Sequence, residues 1–125
     1  MRQLLTSVAL VVPLFLAGCG GGKHKVPGKV VQAGQPLTVS DQGKFVITFI
    51  PEGGKGAIGT STRPDGTFVV TGTDGKGIAP GKYKVAVQAW DPYPRKDKLG
   101  GKYNEANTRL TVEVGTGEVV LDVGQ

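Results

Sequence analysis

From Val26 onward apolar residues recur at every second position in short runs, and never at the three- and four-residue spacing of an amphipathic helix. A segment written with period two buries one face only as a strand, so the chain is confined to β architectures before any motif is considered. Residues 44–50 place Phe45, Ile47 and Phe49 on one face and Val46 and Thr48 on the other. Residues 67–71 repeat the pattern with Phe68 and Val70. Residues 82–90 turn Tyr83, Val85, Val87 and Ala89 inward and Lys82, Lys84 and Gln88 outward. Residues 109–114 (Leu110, Val112, Val114) and 118–123 (Val119, Leu121, Val123) close the chain, and weaker runs lie at 26–32 and 57–62. The pattern predicts one all-β domain over residues 26–125, a seven-stranded antiparallel Greek-key sandwich. Composition agrees: residues 19–125 hold 20 Gly and 14 Val against 4 Leu, a vocabulary of strands and turns rather than of long helices.

Turn chemistry separates the runs. Arg63-Pro64-Asp65-Gly66 has Pro where its fixed φ suits a type I turn and Gly where a left-handed residue opens a bulged hairpin, so it predicts a link between neighbouring strands. Ala79-Pro80-Gly81-Lys82 suits a type II turn that launches the longest strand. Gly115-Thr116-Gly117 is short enough to predict an antiparallel hairpin between the last two strands.

These turns, taken in order, carry a family resemblance. Val30-Val31 followed by Gly34-Gln35-Pro36-Leu37, Phe49-Ile50-Pro51-Glu52, Asp65-Gly66-Thr67-Phe68, and Gly77-Ile78-Ala79-Pro80-Gly81-Lys82-Tyr83-Lys84-Val85 resemble a carboxypeptidase-regulatory-like domain. The stretch Lys102-Tyr103-Asn104 to Thr108, with Leu110 to Val114 and Gly117, is similar to the closing part of the same domains, so the resemblance spans about residues 26–123. It implies a transthyretin-like (prealbumin-like) sandwich of the kind found in small bacterial lipoproteins, with export and a non-catalytic accessory role. It implies no catalytic residues.

The N-terminus points to the same compartment. Arg2 precedes an apolar run over residues 4–17, which as a helix would reach about 21 Å against a hydrocarbon core of about 30 Å, so it reads as a secretory signal rather than a membrane span. Leu16-Ala17-Gly18-Cys19 resembles the lipobox of bacterial lipoproteins, which implies cleavage after residue 18, a diacylglyceryl thioether on Cys19 and N-acylation of the new terminus. Cys19 is the sole cysteine, so an exported domain without a disulfide keeps its one sulfur at the processing point. Two or three acyl chains at about 0.8 kcal/mol per buried methylene hold a protein on a membrane effectively permanently. Residues 19–25 are then expected to form a flexible, basic, lipidated tether ahead of the sandwich; its six residues after the cysteine extend at most about 20 Å. Gly20 stands where enteric lipoproteins retained in the inner membrane carry Asp, which favours the outer membrane or cell surface.

The familiar catalytic patterns fail one by one. Gly-Lys occurs seven times, never followed by Ser or Thr and never at the head of a helix, so no phosphate loop is present. His24, the only histidine, lies in the tether, and neither Ser40 nor Ser61 sits in a Gly-x-Ser-x-Gly setting. No spacing of His, Cys or acidic residues suits a metal, and no cofactor motif appears. Removing the leader leaves 14 basic against 10 acidic residues, a modest surplus that, with an envelope location, argues against nucleic acid.

One segment departs from the sandwich pattern. Residues 90–103 concentrate the only Trp, two of three Tyr and four of the 14 remaining cations: Trp90, Tyr93, Arg95, Lys96, Lys98, Lys102 and Tyr103. Alternation from Tyr83 puts Trp90 on the outer face. Aromatics beside cations suit an anionic glycan or a protein partner; equally, Trp90 and Tyr103 could cap the end of the sandwich while the lysines stay solvated. The sequence therefore predicts a lipid-anchored envelope module with a structural or binding role, contacting envelope polymer, polysaccharide or protein through this loop. The alternative is an accessory subunit of an envelope enzyme complex.

Overall fold

The computed structural model describes residues 22–54 and 56–124; the leader and Cys19 lie outside them. Among the described residues there is no helix, and nine strands form: β1 (Val26–Gln32), β2 (Gln35–Pro36), β3 (Lys44–Pro51), β4 (Ile58–Gly59), β5 (Ser61–Thr62), β6 (Thr67–Val70), β7 (Gly81–Trp90), β8 (Thr111–Val114) and β9 (Val119–Asp122).

They make two sheets. One runs β4-β3-β7-β8, antiparallel throughout, with β3 and β7 paired from Lys44 opposite Trp90 to Pro51 opposite Tyr83. The other is built on β1. Residues 26–29 of β1 pair β6, Val31 and Gln32 pair β2 on the same edge, β5 lies beyond β6, and β9 takes the opposite edge.

The inward faces are those that alternation selects. Phe45, Ile47 and Phe49 of β3, Phe68 and Val70 of β6, Val85, Val87 and Ala89 of β7, and Val119, Leu121 and Val123 all join one buried cluster. Phe49 meets Phe68 of the opposing sheet at 6.1 Å between ring centroids and Tyr83 edge-on at 5.9 Å, which marks the centre of the core. A fully buried side chain of this size contributes about 1.5 to 3 kcal/mol, and the Phe49–Phe68 contact joins the two sheets. Burial raises the Tyr83 phenol above its ordinary pKa, and its hydroxyl donates to Ala79 O at 2.7 Å. In β8 Val114 is buried, whereas Leu110 and Val112 pack half-buried against the rim of the core.

The nine strands exceed the seven expected, and the two additional ones have local causes. Run 57–62 divides at Thr60: β4 continues the β3 edge, then the chain crosses to pair β6 as β5. The hydroxyls of Thr60 and Thr62 donate to Ile47 O (3.2 Å) and Phe45 O (3.0 Å), satisfying carbonyls on β3 where the main chain peels away. β2 arises because Ala33 (φ 51°) and Gly34 (φ 83°) both take positive φ, the requirement of a type I′ turn, and fold the chain back on β1.

The Arg63-Pro64-Asp65-Gly66 hairpin forms as expected between β5 and β6, with Gly66 at φ 90° donating its N–H to Arg63 O at 3.1 Å. A Cβ on Gly66 would lie 2.4 Å from Leu37 O, so the position needs glycine for space as well as for conformation. Gly81 does launch β7, but at φ 146°, away from the roughly 80° of a type II turn.

The predicted hairpin across Gly115-Thr116-Gly117 does not form. β8 stays with β7, while β9 crosses to the other sheet and runs parallel to β1, the one parallel pair among the described strands. Neither Gly115 nor Gly117 takes the positive φ of a tight hairpin. The crossing sends Val119 and Leu121 into the core from the sheet opposite Val114 and covers an edge of β1 that would otherwise be bare.

Hydrogen-bonded structure starts before β1. His24 exchanges two backbone hydrogen bonds with Ile78 (3.1 and 2.9 Å), its Nε2 contacts Gly115 O, and Lys23 Nζ reaches Asp74 Oδ2 at 3.1 Å. Gly77, at φ 99°, permits this approach, since any Cβ there would overlap the His24 backbone.

Candidate binding site

β7 delivers Trp90 to the end of its sheet, half-buried and on the outer face, because Ala89 beside it points into the core. The chain then folds back on itself. Asp91 N–H donates to Lys96 O at 2.7 Å and Lys98 N–H to Ala89 O at 2.8 Å, so residues 91–97 form a compact lobe rather than an open excursion.

Four acceptors fix this lobe. The Asp97 carboxylate receives the backbone N–H groups of Ala89 (3.0 Å), Leu99 (2.9 Å) and Gly101 (3.0 Å). The Asp91 carboxylate receives Ser40 N–H at 2.8 Å and Ser40 Oγ at 2.6 Å, which joins the lobe to the segment before β3. Those two hydrogen bonds, the hydroxyl's foremost, hold the Asp91 carboxyl below its ordinary pKa of 3.8. Gln42 O accepts the Tyr93 N–H at 2.9 Å, and Lys98 Nζ donates to Thr38 O at 3.0 Å. The peptide bonds before Pro92 and Pro94 are both cis.

The residues singled out in the sequence divide into two places. Tyr93 stands 48% exposed with its ring edge-on to Trp90 at 6.2 Å, and Lys44 Nζ lies 5.2 Å from the Tyr93 ring centroid, within cation–π range. Arg95, Lys96 and Lys98 are exposed along the same lobe. Tyr103 goes elsewhere: it is 7% exposed and belongs to the core cluster, and its carbonyl accepts the Val87 N–H at 2.7 Å. Lys102 Nζ lies 5.6 Å from the Tyr103 ring, where the two join Asn107, Arg109 and Leu110 around a cavity of about 530 Å³ at the β8 side of the molecule. Tyr103 is thus a core residue, whereas Tyr93 faces solvent with Trp90 half-buried beside it.

Lys44 and Ser40 were not anticipated as parts of this region, and Asp97 lies in the 90–103 segment without having been given a role. Asp97 carried a local signal, because an Asp whose side chain accepts the N–H two residues on is a recurrent turn device. Lys44 carried none, since its place beside Tyr93 depends on the β3–β7 register.

The arrangement presents aromatic faces and positive charge on a backbone held by fixed hydrogen bonds. Among the described residues no group of three or more His, Cys, Asp or Glu could hold a metal ion. Comparison of the chain with protein-family models finds no match, and comparisons with curated proteins and with solved structures find none either.

Proposed function

We propose that this chain is an exported, lipid-anchored β-sandwich of the carboxypeptidase-regulatory-like, transthyretin-like kind that serves as a non-catalytic binding module of the cell envelope. Cys19 is its acylation site, and the outer membrane or cell surface is its location. The contact surface is the 91–97 lobe with Trp90 and Lys44, and an anionic envelope polysaccharide is its ligand class.

The observation that carries this reading is Tyr93. It is one of two large hydrophobic side chains that stand exposed among the described residues, and the backbone beneath it is tied to Gln42 and, through Asp91, to Ser40. An aromatic held out in water on an ordered support loses little entropy when a sugar face stacks on it. Lys44, Arg95 and Lys96 supply the long-range attraction for an anionic polymer.

The test uses the full chain purified from membranes in detergent. Mass spectrometry of its N-terminus should find an acylated Cys19, and Cys19→Ala should leave the membrane fraction. Binding is then read against a uronic-acid polymer and against neutral dextran. The reading expects retention on the charged polymer that falls with salt, a loss of about tenfold for Tyr93→Ala, and a flattened salt dependence for the double replacement Arg95→Gln and Lys96→Gln. Equal binding by all variants, or none to the charged polymer, removes the lobe as the contact surface.

A further inference from the structure

Most of the sheet edges are blunted. β4 and β5 are two residues long, and β2 is two residues ending in Pro36, so none offers a useful template for another strand. β8 and β9 differ: each has four residues, neither contains Lys or Pro, and both border one flank of the sandwich.

The hydrogen-bond pattern shows which groups that flank presents. Val85 N–H donates to Leu110 O at 2.9 Å, and Tyr83 lies opposite Val112 and Gly81 opposite Val114. By the alternation of an antiparallel pair, the Leu110 carbonyl and the backbone groups of Val112 and Val114 point to β7, and Thr111 and Glu113 direct theirs away from it; the Leu110 N–H donates to Thr108 Oγ1 at 3.2 Å. A groove of about 300 Å³ runs beside them between β8 and β9, floored by Val112 and Leu121 and bordered by Val120, the other exposed large hydrophobic side chain. Arg109 and Leu110 line both this groove and the 530 Å³ cavity, so the two adjoin at these residues.

We infer that β8 is a docking edge for an extended peptide, which adds to the β4-β3-β7-β8 sheet as its fifth strand and has an acidic C-terminal end. Donors and acceptors alternating along a strand are matched in spacing by another polypeptide backbone and not by a sugar chain. Addition antiparallel to β8 continues the sense of that sheet and brings the incoming C-terminal end over Arg109, at the head of β8, with Lys102 beyond it. Glu113 stands at the other end of β8, where the incoming N-terminal end would lie; Asp122, which also lines the groove, turns its carboxylate to the Ala33 and Gly124 N–H groups, so Arg109 and Glu113 set the charge along β8 and favour that direction over its reverse. Apolar side chains of the incoming strand would lie against Leu110, Val112 and Val120. This surface is separate from the Tyr93 lobe and stands or falls independently of it.

The test is a titration of the full chain in detergent with an eight-residue synthetic peptide that alternates Thr and Val and ends in two Asp, read by anisotropy and by amide hydrogen exchange. Saturable binding should slow exchange at Thr111 and Glu113 at least tenfold. The same peptide N-methylated at alternate residues should not bind. Arg109→Glu should weaken binding about tenfold, and Glu113→Pro, which removes an outward N–H and leaves the β7 ladder intact, should abolish it, both with unchanged circular dichroism. Absence of binding, equal binding of the N-methylated peptide, or protection appearing at Val120 and Asp122 instead overturns the assignment. So does protection of Thr111 and Glu113 without peptide in a dimerising chain, which would give the edge to a second copy.

Discussion

The carboxylate of Asp97 accepts the backbone N–H of Ala89 at 3.0 Å, so a side chain from the loop that follows β7 completes the hydrogen bonding of β7 itself. The same carboxylate takes Leu99 and Gly101 N–H. One residue therefore closes the strand and shapes the lobe that carries Tyr93. Asp97→Ala leaves three donors without their acceptor, and at about 1 to 3 kcal/mol for an unsatisfied buried group the urea midpoint should fall clearly, while Asp97→Asn should lose less. Trp90 fluorescence should shift in parallel. An unchanged midpoint and spectrum would mean that water replaces the carboxylate at no cost.

Gly66→Val should destabilise the domain by about 1 to 3 kcal/mol, because valine resists φ near 90° and its Cβ would press on Leu37 O. The measurement is a thermal melt. Retention of the wild-type midpoint would show that the β5–β6 hairpin moves away from residue 37 without loss.

Acidification should loosen the Asp91–Ser40 tie. A carboxyl whose folded pKa lies below its unfolded value stabilises the fold above the unfolded value and loses that contribution as pH falls through the folded one, so the tie is intact at pH 5 and weakens below about pH 4. Carbon-13 titration of the Asp91 carboxyl should give a midpoint under 3.8, and Ser40→Ala, by deleting the leading hydrogen bond, should move it upward. A wild-type midpoint at or above 3.8 contradicts the hydrogen-bonded geometry.

Tyr103 and Tyr93 should separate stability from binding. Tyr103→Ala removes a ring that is 7% exposed and should cost about 3 to 5 kcal/mol, whereas Tyr93→Ala, 48% exposed, should leave the melting midpoint within about half a kcal/mol of wild type. Thermal melts of both variants check the division, and equal losses would place the two rings in the same environment.

Which side chains enter the core was legible because period two assigns a face to every residue: Phe45, Phe68, Val85 and Leu121 could be placed without knowing any neighbour. Which strands pair was not. Val119, Leu121 and Val123 would bury equally well beside β8 or beside β1, and nothing local separates the two; the bare edge of β1 decides. The break at Thr60 was hidden for the same reason, since run 57–62 keeps its period while changing partners. In the candidate site alternation placed Trp90 on the outer face, but it stops at residue 90, so the inward turn of Tyr103 could not be read beyond it. Lys44 reaches Tyr93 only through register, a relation between distant segments.

The pairing of His24 with Ile78 sets the posture of the molecule on the proposed anchor. If Cys19 carries the proposed lipid, the four residue steps from it to Lys23 span at most about 14 Å, which would bring the 71–80 turn region, held to His24, close to the bilayer. β7 climbs away from that region for ten residues, about 30 Å, before it delivers Trp90 and the lobe. On that proposal the sandwich would be moored at the 71–80 end, with Tyr93 at the end away from the bilayer and the β8 flank along the side between them.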